Sequence, residues 1–484
     1  MALMLPATAR KSCFVPLDDP LAKPPFNARA VALMRRNFLA NFNVNGTGAV
    51  VASLGETPAL ERACPGCHGG YGFHWTRDGA LSMIALQRLA DSDVATMGGE
   101  VPITAGLVDN TMRAYIRWVD RDRDPQQSDS HLVAEPRWNI TTGEPVEGAW
   151  CRPQTDGPGL RAMALMTFAM HQAEDESVWR LIKRDLDWLS RGPATIEMKG
   201  CDLWEESMSS NFLWNRATMR AALLMGHRFA QLLGDTHRAK AYLHAAEHDI
   251  GDPLANHVAT VADGGFITEC PIHHSETLCR RLGKFIDGSV ILGLVHGGLP
   301  TAPVPGPGAA GRAPSAWTWP TSVLVARTVE AYNVEFCTAY PLNRQDSALG
   351  IPGVLYGRYA KDMYGGGNPW VLISGALATL LYRAARVVSD GGELTLAEVH
   401  AWREALNSET FSGSASDFVA AGDAVLQRLR HHVGSDGSFS LYEQIDKVSG
   451  KQYNAKDLTW SYAEVLTALM ERSTVAKIGQ RHWI

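Results

Sequence analysis

The sequence predicts an all-α fold in which an inner ring of helices is sheathed by an outer ring. Three observations predict it. Four stretches of helical length are apolar nearly all round, amphipathic stretches lie between them, and strand signals are few. A helix with no polar face must be enclosed by other helices. Enclosed and half-exposed helices alternating along one chain therefore imply two concentric layers. Each enclosed stretch follows a short polar motif, so these motifs should converge on one mouth of the ring.

Taken in order, residues 1–27 are proline-rich and read as an arm lying over the main body. Ala28 to Phe42 reads as an amphipathic helix. A turn-rich segment follows, with Asn45-Gly46 and Cys64-Pro-Gly-Cys67-His68, and then Trp75-Thr-Arg-Asp78 opens the apolar run Ala80 to Leu86. The motif Trp150-Cys151-Arg152 through Pro158 precedes the apolar run Leu160 to Met170. Pro158 suits a first helical turn, where its missing N–H costs nothing. Ser177 to Leu189 puts Val178, Ile182, Leu186 and Leu189 on one side and Lys183, Arg184 and Asp187 on another.

Next comes Cys201-Asp202-Leu203-Trp204-Glu205-Glu206. The following Ser207-Met208-Ser209-Ser210 is expected to N-cap a helix carrying Met219, Ala222, Leu223, Gly226, Ala230 and Leu233 at helical spacing. Arg238 to Ile250 and Ser416 to His432 read as half-exposed helices, and Gly264 to Thr268 and Gly437 to Leu441 as short hairpin arms. Pro300 to Pro314 reads as a surface loop. Gly365-Gly366-Gly367-Asn368-Pro369-Trp370 precedes Val371 to Tyr382, with Asn368 as N-cap and Pro369 at the first position. Lys456-Asp-Leu-Thr-Trp460 precedes Tyr462 to Met470. The whole reads as one catalytic domain over 28–475 with a short tail at 476–484.

A chain of 484 residues, 45% hydrophobic and 20% charged, can bury a large core. Its net charge of −6 supplies no basic stripe for nucleic acid. No run of 18 apolar residues is free of charge, so no membrane span is expected. The N-terminus lacks a basic region and Pro6 interrupts its apolar start, so no signal peptide is read. An intracellular compartment is slightly favoured, and a monomer is expected. Asn45-Gly-Thr47 and Asn139-Ile-Thr141 fit the glycosylation pattern at about chance frequency. Eight cysteines in a chain this long define no disulfide framework. Cys64-Pro-Gly-Cys67-His68 leaves open a haem attachment, a zinc site shared with Cys270, His273, His274 and Cys279, a disulfide, or free thiols.

The densest chemistry is the acid cluster Asp202, Glu205 and Glu206 beside Trp204. An apolar wall raises a carboxyl pKa, and a helix start favours the ionised form. Such a site can hold one carboxyl protonated and its neighbour charged, although a capping acid pair fits the same residues. Breaking an acetal needs a proton on the leaving oxygen and a nucleophile on the opposite face. Adjacent acids point apart, so the second carboxyl must come from elsewhere. Glu443, in Ser440-Leu-Tyr-Glu-Gln444, meets that need, and a surface acid in a hairpin is its other reading. Arg77 with Asp78 can read vicinal hydroxyls through paired hydrogen bonds, or can cap a helix. Tryptophans next to the polar motifs fit faces that stack on pyranose rings. Lys284 and Asp287 read as mouth-lining groups or a surface ion pair.

The motifs in order are Trp75-Thr-Arg-Asp78, Trp150 with Arg152-Pro-Gln-Thr-Asp-Gly-Pro158, and Cys201-Asp-Leu-Trp-Glu-Glu206. They continue with Gly357-Arg-Tyr359, Asn368-Pro-Trp370, Glu443-Gln444 and Leu458-Thr-Trp-Ser-Tyr462. The set resembles glycoside hydrolase family 15, the glucoamylases, over about residues 30–475. The resemblance implies an (α/α)6 barrel and removal of glucose from non-reducing ends of α-1,4-linked glucans, with inversion. It implies Glu205 as general acid and Glu443 as general base. It places Arg77, Asp78 and Arg358 on the terminal sugar's hydroxyls, Tyr71, Trp75, Trp150 and Trp204 as subsite walls, and Asp202, Glu206 and Trp460 about the subsites.

Departures are Leu441-Tyr442 before Glu443, the triple Gly365–Gly367 in place of a Tyr-Asn-Gly stretch, and the leader Cys64–Gly70. No starch-binding module is expected after residue 475. The implied substrate is an α-glucan or maltooligosaccharide. No metal or organic cofactor is expected, since two carboxylates perform the proton transfers. The rival expectations are another α-glucoside, such as trehalose or α-1,6-dextran, and a non-catalytic glucan sensor.

Overall fold

Among the described residues, six helices close an inner ring. They are Thr76–Ala90, Asp156–Ala169, Leu213–Leu232, Ser289–His296, Val371–Ser389 and Thr459–Arg481. Each packs on the next, and the last packs on the first. A computed structural model of the chain describes residues 12–55, 70–99, 101–120, 130–146, 148, 150–170, 176–191, 199–261, 264–272, 277–297, 319–434 and 436–481. Cys64 to His68, His273, His274 and Pro300 to Pro314 lie outside the described residues.

Five outer helices lie directly against the ring. Ala28–Ala40 packs on Thr459–Arg481, Ala105–Asp120 on Thr76–Ala90, Glu176–Arg191 on Asp156–Ala169, Thr236–His244 on Leu213–Leu232, and Ala415–His432 on Val371–Ser389. A sixth, Val323–Ala339, reaches the ring through Tyr332, whose hydroxyl donates to Asp287 O at 2.9 Å and accepts from Asp287 N at 3.1 Å. Six helices inside six make the (α/α)6 barrel.

The sequence pattern accounts for the layers. Every residue of Asp156–Ala169 except Thr167 is buried, whereas Glu176–Arg191 buries only its Val178, Leu181, Ile182, Asp185, Leu186 and Leu189 side. The one arginine of the enclosed helix, Arg161, is paired by Asp185 of the outer helix through two 2.7 Å hydrogen bonds. A fully buried charge persists only with such a partner. Close approach is set by Gly226, where a Cβ would stand 2.3 Å from Leu186 Cδ1. Val371–Ser389 is long and apolar enough to cross a bilayer, but here it is enclosed in the ring. The arm holds to the body through Cys13–Cys337, a bridge from Val15 to Gly353, and the buried Phe14 and Phe26.

Several local expectations need correction. Ser207–Ser210 does not cap a helix: Gly200–Cys201 pairs with Met208–Ser209, and the helix starts at Leu213 without a side-chain cap. Asn368 is not an N-cap either. It donates to Gly365 O and Gln444 Oε1 and accepts from Lys447 N, while the helix begins at Val371. In both places strand-like neighbours satisfy the backbone, so no capping side chain is needed. The second hairpin is Gln444–Ile445 with Gln452–Tyr453 rather than Gly437 to Leu441, because the Asp446 carboxylate closes the turn on Val448 N and Ser449 N. The expected tail is helical to Arg481.

Candidate active site

The N-terminal ends of the inner helices surround a cavity of about 370 Å³. Its walls come from the motifs that precede those helices. Tyr71, Trp75, Arg77 and Asp78 lie at the Thr76–Ala90 start, and Trp150 lies before Asp156. Trp204, Glu205 and Glu206 precede Leu213, Arg358, Tyr364 and Trp370 precede Val371, and Trp460 sits in the first turn of the last helix. Indoles dominate the walls: Trp75 lies 6.1 Å from Trp150, and Trp204 lies 5.3 Å from Trp370, centroid to centroid.

Glu205 projects from the turn between the paired strands Gly200–Cys201 and Met208–Ser209. Its φ is 64°, a left-handed conformation that a non-glycine residue holds only when its surroundings over-determine it. Asp202 supplies that determination. Its carbonyl accepts from Glu205 N at 3.0 Å, and its Oδ1 accepts from Glu206 N and Ser207 N, both at 2.8 Å. Glu205 Oε1 accepts from Trp75 Nε1 and Arg77 Nη2, each at 3.1 Å, and among the described residues Oε2 has no hydrogen bond. Arg77 is fixed in turn by Gln154 and Asp156 at 2.9 and 3.1 Å. Asp78 beside it is pushed up to about 7 by burial and by the neighbouring Glu205 and Asp156, with Arg77 opposing.

Glu443 is enclosed. It is 2% exposed, and both its oxygens are engaged. Oε1 accepts from Tyr71 OH at 2.6 Å, and Oε2 accepts from Gln444 Nε2 at 3.2 Å and from Asn454 Nδ2. Burial pushes its carboxyl up to about 7, against the Tyr71 and Asn454 hydrogen bonds that favour the ionised form. Glu205 and Glu443 thus line one cavity but share no hydrogen bond.

The sequence profile of glycosyl hydrolases family 15 matches residues 32–470. The chain belongs to that family. Glucoamylase-1 of Schizophyllum commune is 30% identical over 484 residues, covering 96% of this chain and 75% of that protein. The family 15 glucoamylase from Hypocrea jecorina superposes with a TM-score of 0.71 at 26% identity, covering 92% of this chain and 71% of that one. Glucoamylase from Saccharomycopsis fibuligera shares the fold with a TM-score of 0.73 at 20% identity, over 96% and 99% of the two chains.

In this family 15 hydrolase the cavity gathers Tyr71, Trp75, Arg77, Asp78, Trp150, Trp204, Glu205, Glu206, Arg358, Glu443 and Trp460. Asp202 is the exception among the expected substrate-binding residues. It is buried behind the wall, with Lys284 and two backbone amides on its carboxylate. Lys284 and Asp287 do not line the mouth and are not a surface pair, since both are fully buried. Asp287 Oδ1 accepts from Trp204 Nε1 at 2.7 Å, which makes it a support for the wall. The carboxylates also do not sit at a helix start, so the helix dipole does not act on them there.

Glu206 accepts from Tyr359 OH at 2.6 Å and from Arg358 Nη2. Burial opposes its charge, but Arg358 and Lys284 hold it below the usual carboxylate range. Arg358 is also held by Asp362 through bonds of 2.9 and 2.7 Å.

Sequence reasoning missed Arg137, Tyr364 and Asn454. Arg137 reaches the cavity because Trp75 pairs with it in a two-residue strand, and its guanidinium lies 4.0 Å from the Trp150 centroid. No spacing marked it. Tyr364 OH lies 2.5 Å from Tyr71 OH. The zinc reading also fails, since Cys270 and Cys279 are joined as a disulfide. Among the described residues one group has metal-ligand spacing, Asp346 with His431 and His432. Asp346 is already paired with Arg428 and with His432, at 3.4 and 2.7 Å, and none of the three lines the cavity.

Proposed function

We propose that this chain is an inverting, exo-acting glucan 1,4-α-glucosidase that releases β-glucose from non-reducing ends of starch- or glycogen-like chains and maltooligosaccharides. Protonated Glu205 donates to the glycosidic oxygen. Ionised Glu443 takes a proton from a water that attacks the anomeric carbon from the opposite face. The α-linked sugar leaves as the β-anomer. Arg77, Asp78, Arg358 and Glu206 hold the terminal hydroxyls, and the indoles stack on the apolar C–H faces of the rings.

The observation that carries this reading is the unequal wiring of the two carboxyls on one cavity. Among the described residues Glu205 keeps one oxygen without a partner, as a proton donor needs, whereas Glu443 is surrounded by donors that stabilise a carboxylate. Its family and the glucoamylases among its relatives favour this substrate over trehalose or dextran. The test is hydrolysis of maltotriose followed by polarimetry. β-Glucose as the first product is expected. α-Glucose would overturn inversion, no turnover would favour a sensor, and turnover of trehalose or dextran alone would move the substrate class.

A further inference from the structure

We propose that Lys284 is a positioning residue for this hydrolysis: through Asp202 and Glu206 its ammonium pins the turn that aims the Glu205 carboxyl. The proposal rests on the reading of Glu205 as the general acid.

Lys284 is fully buried and lines no part of the cavity. Its Nζ lies 2.5 Å from Asp202 Oδ2 and 2.6 Å from Glu206 Oε2, so one cation grips residues on both sides of Glu205. The other oxygen of Asp202 binds the amides of Glu206 and Ser207. Asp202 N donates to Ser207 O at 2.8 Å, and Asp202 O takes the amide of Glu205. Within residues 202–207 the four hydrogen bonds across the turn all involve Asp202, and Lys284 fixes the rotation of its carboxylate.

What the turn has to hold is the left-handed backbone of Glu205 at φ 64°. A strained conformation at a functional group persists only while the bonds around it persist. Lys284 is itself anchored. Its amide donates to Cys279 O at 3.0 Å, Cys279 is bonded to Cys270, and Phe285 O accepts from Glu269 N at 3.2 Å. Burial opposes the ammonium, but Asp202, Glu206 and Asp287 outweigh it and hold Lys284 above the usual lysine value. Without the cation, two neighbouring carboxylates remain with no shared counter-charge, and the turn loses the group that fixes it.

A bulk structural role and a positioning role separate on the leaving group. Maltotriose needs a proton on its leaving oxygen, whereas α-glucosyl fluoride releases fluoride with little help from an acid. Lys284→Met should lower kcat on maltotriose about 10²-fold, the size of loss that misplacing a reacting group by about 1 Å can bring. On the fluoride the loss in kcat should stay within roughly 5-fold, because the base, Arg77 and Asp78 are untouched and Glu206 keeps its bonds from Arg358 and Tyr359. Lys284→Arg, which keeps the charge, should recover part of the maltotriose rate.

Should the single variant fail to melt cooperatively, Asp202→Asn/Lys284→Met removes both charges and keeps an oxygen for the two amides. The same split is expected there. Equal losses on both substrates, in whichever variant folds, overturn the pin. Glu205→Gln assayed alongside separates the two readings. If it shows the split and the Lys284 variant does not, only the pin falls. If Glu205→Gln shows no split, the acid assignment falls and the pin with it.

Discussion

Replacing Tyr71 with Phe tests the wiring of the proposed base at one atom. The substitution removes the hydroxyl that donates to Glu443 Oε1 at 2.6 Å and leaves the ring, which lies 5.8 Å from Trp75. A hydrogen bond to a charged group contributes about 1.5–3 kcal/mol, and a lost pKa unit corresponds to about 1.4 kcal/mol. Glu443 is fully buried, so water does not replace the lost donor at low cost. Its carboxyl, already pushed up to about 7, should rise by roughly 1–2 units. A base must be ionised to act, so the acid limb of kcat/KM should move up by the same amount. At pH 5 the loss should be roughly 10- to 10²-fold, shrinking as pH rises. Tyr364→Phe, one hydroxyl further from the carboxylate, should move the limb less. The assay is kcat/KM on maltotriose from pH 3.5 to 9. A limb at its wild-type position, or one moved down, would refute the claim that Tyr71 stabilises an ionised base.

The other expectations are more direct. Glu205→Gln and Glu443→Gln should each lower kcat by at least ~10²-fold with folding intact by circular dichroism, and an equal loss from Glu206→Gln alone would reassign the acid. Stability should rise as pH falls from about 8 to about 5. Glu443 and Asp78 are held near 7 by burial, so the native state keeps protons that the unfolded chain has released in that window. Below about 4 stability should fall again. There Glu471, held at about 2 by Arg383, Arg88 and Arg386 against burial, stops contributing once it is protonated. Melting temperatures at pH 3, 5 and 8 decide this, and a higher value at 8 than at 5 would contradict it. Gly365→Ala should lower both melting temperature and kcat. Gly365 has φ 59°, which costs a non-glycine residue about 1–2 kcal/mol, and a Cβ there would stand 2.6 Å from Gln444 Oε1, beside the proposed base. Unchanged kcat with a lowered melting temperature would detach Gln444 from the chemistry.

The layers were legible because a helix such as Asp156–Ala169, apolar on every side, has no other place to go. The convergence of the motifs followed from the same fact, since each sits at the start of an enclosed helix. Caps were not legible at Ser207–Ser210 or Asn368. At Ser207–Ser210 the backbone is satisfied by a short local hairpin with Gly200–Cys201, and near Asn368 by partners far along the chain, as in the bridge from Trp370 to Gln444. Lys284 misled for a related reason. A lysine reads as exposed unless a buried acid meets it, and its partner Asp202 lies 82 positions away. Arg137 and Asn454 carry no pattern at all: each is one polar residue in an irregular segment, placed by a partner strand or turn that composition does not announce.

The proposed acid and base, Glu205 and Glu443, also explain why this fold suits the reaction. An acid and a base of the same chemical type must keep opposite protonation states in one cavity, so their partners must not be shared. Glu205 is held from Trp75, Arg77 and the turn around Asp202, which belong to the first and third motifs along the walls. Glu443 is held from Tyr71, Gln444 and Asn454, on a hairpin bridged to the start of the Val371–Ser389 helix. Tyr71 sits beside Trp75 and Arg77 at the start of Thr76–Ala90, where its ring contact with Trp75 joins the two sets, and the remaining partners come from separate segments, the Gly200–Ser209 hairpin and the Gln444–Tyr453 hairpin. A barrel whose loops all open at one end can therefore tune each carboxyl through its own neighbours, and the cavity between them is the part both must share.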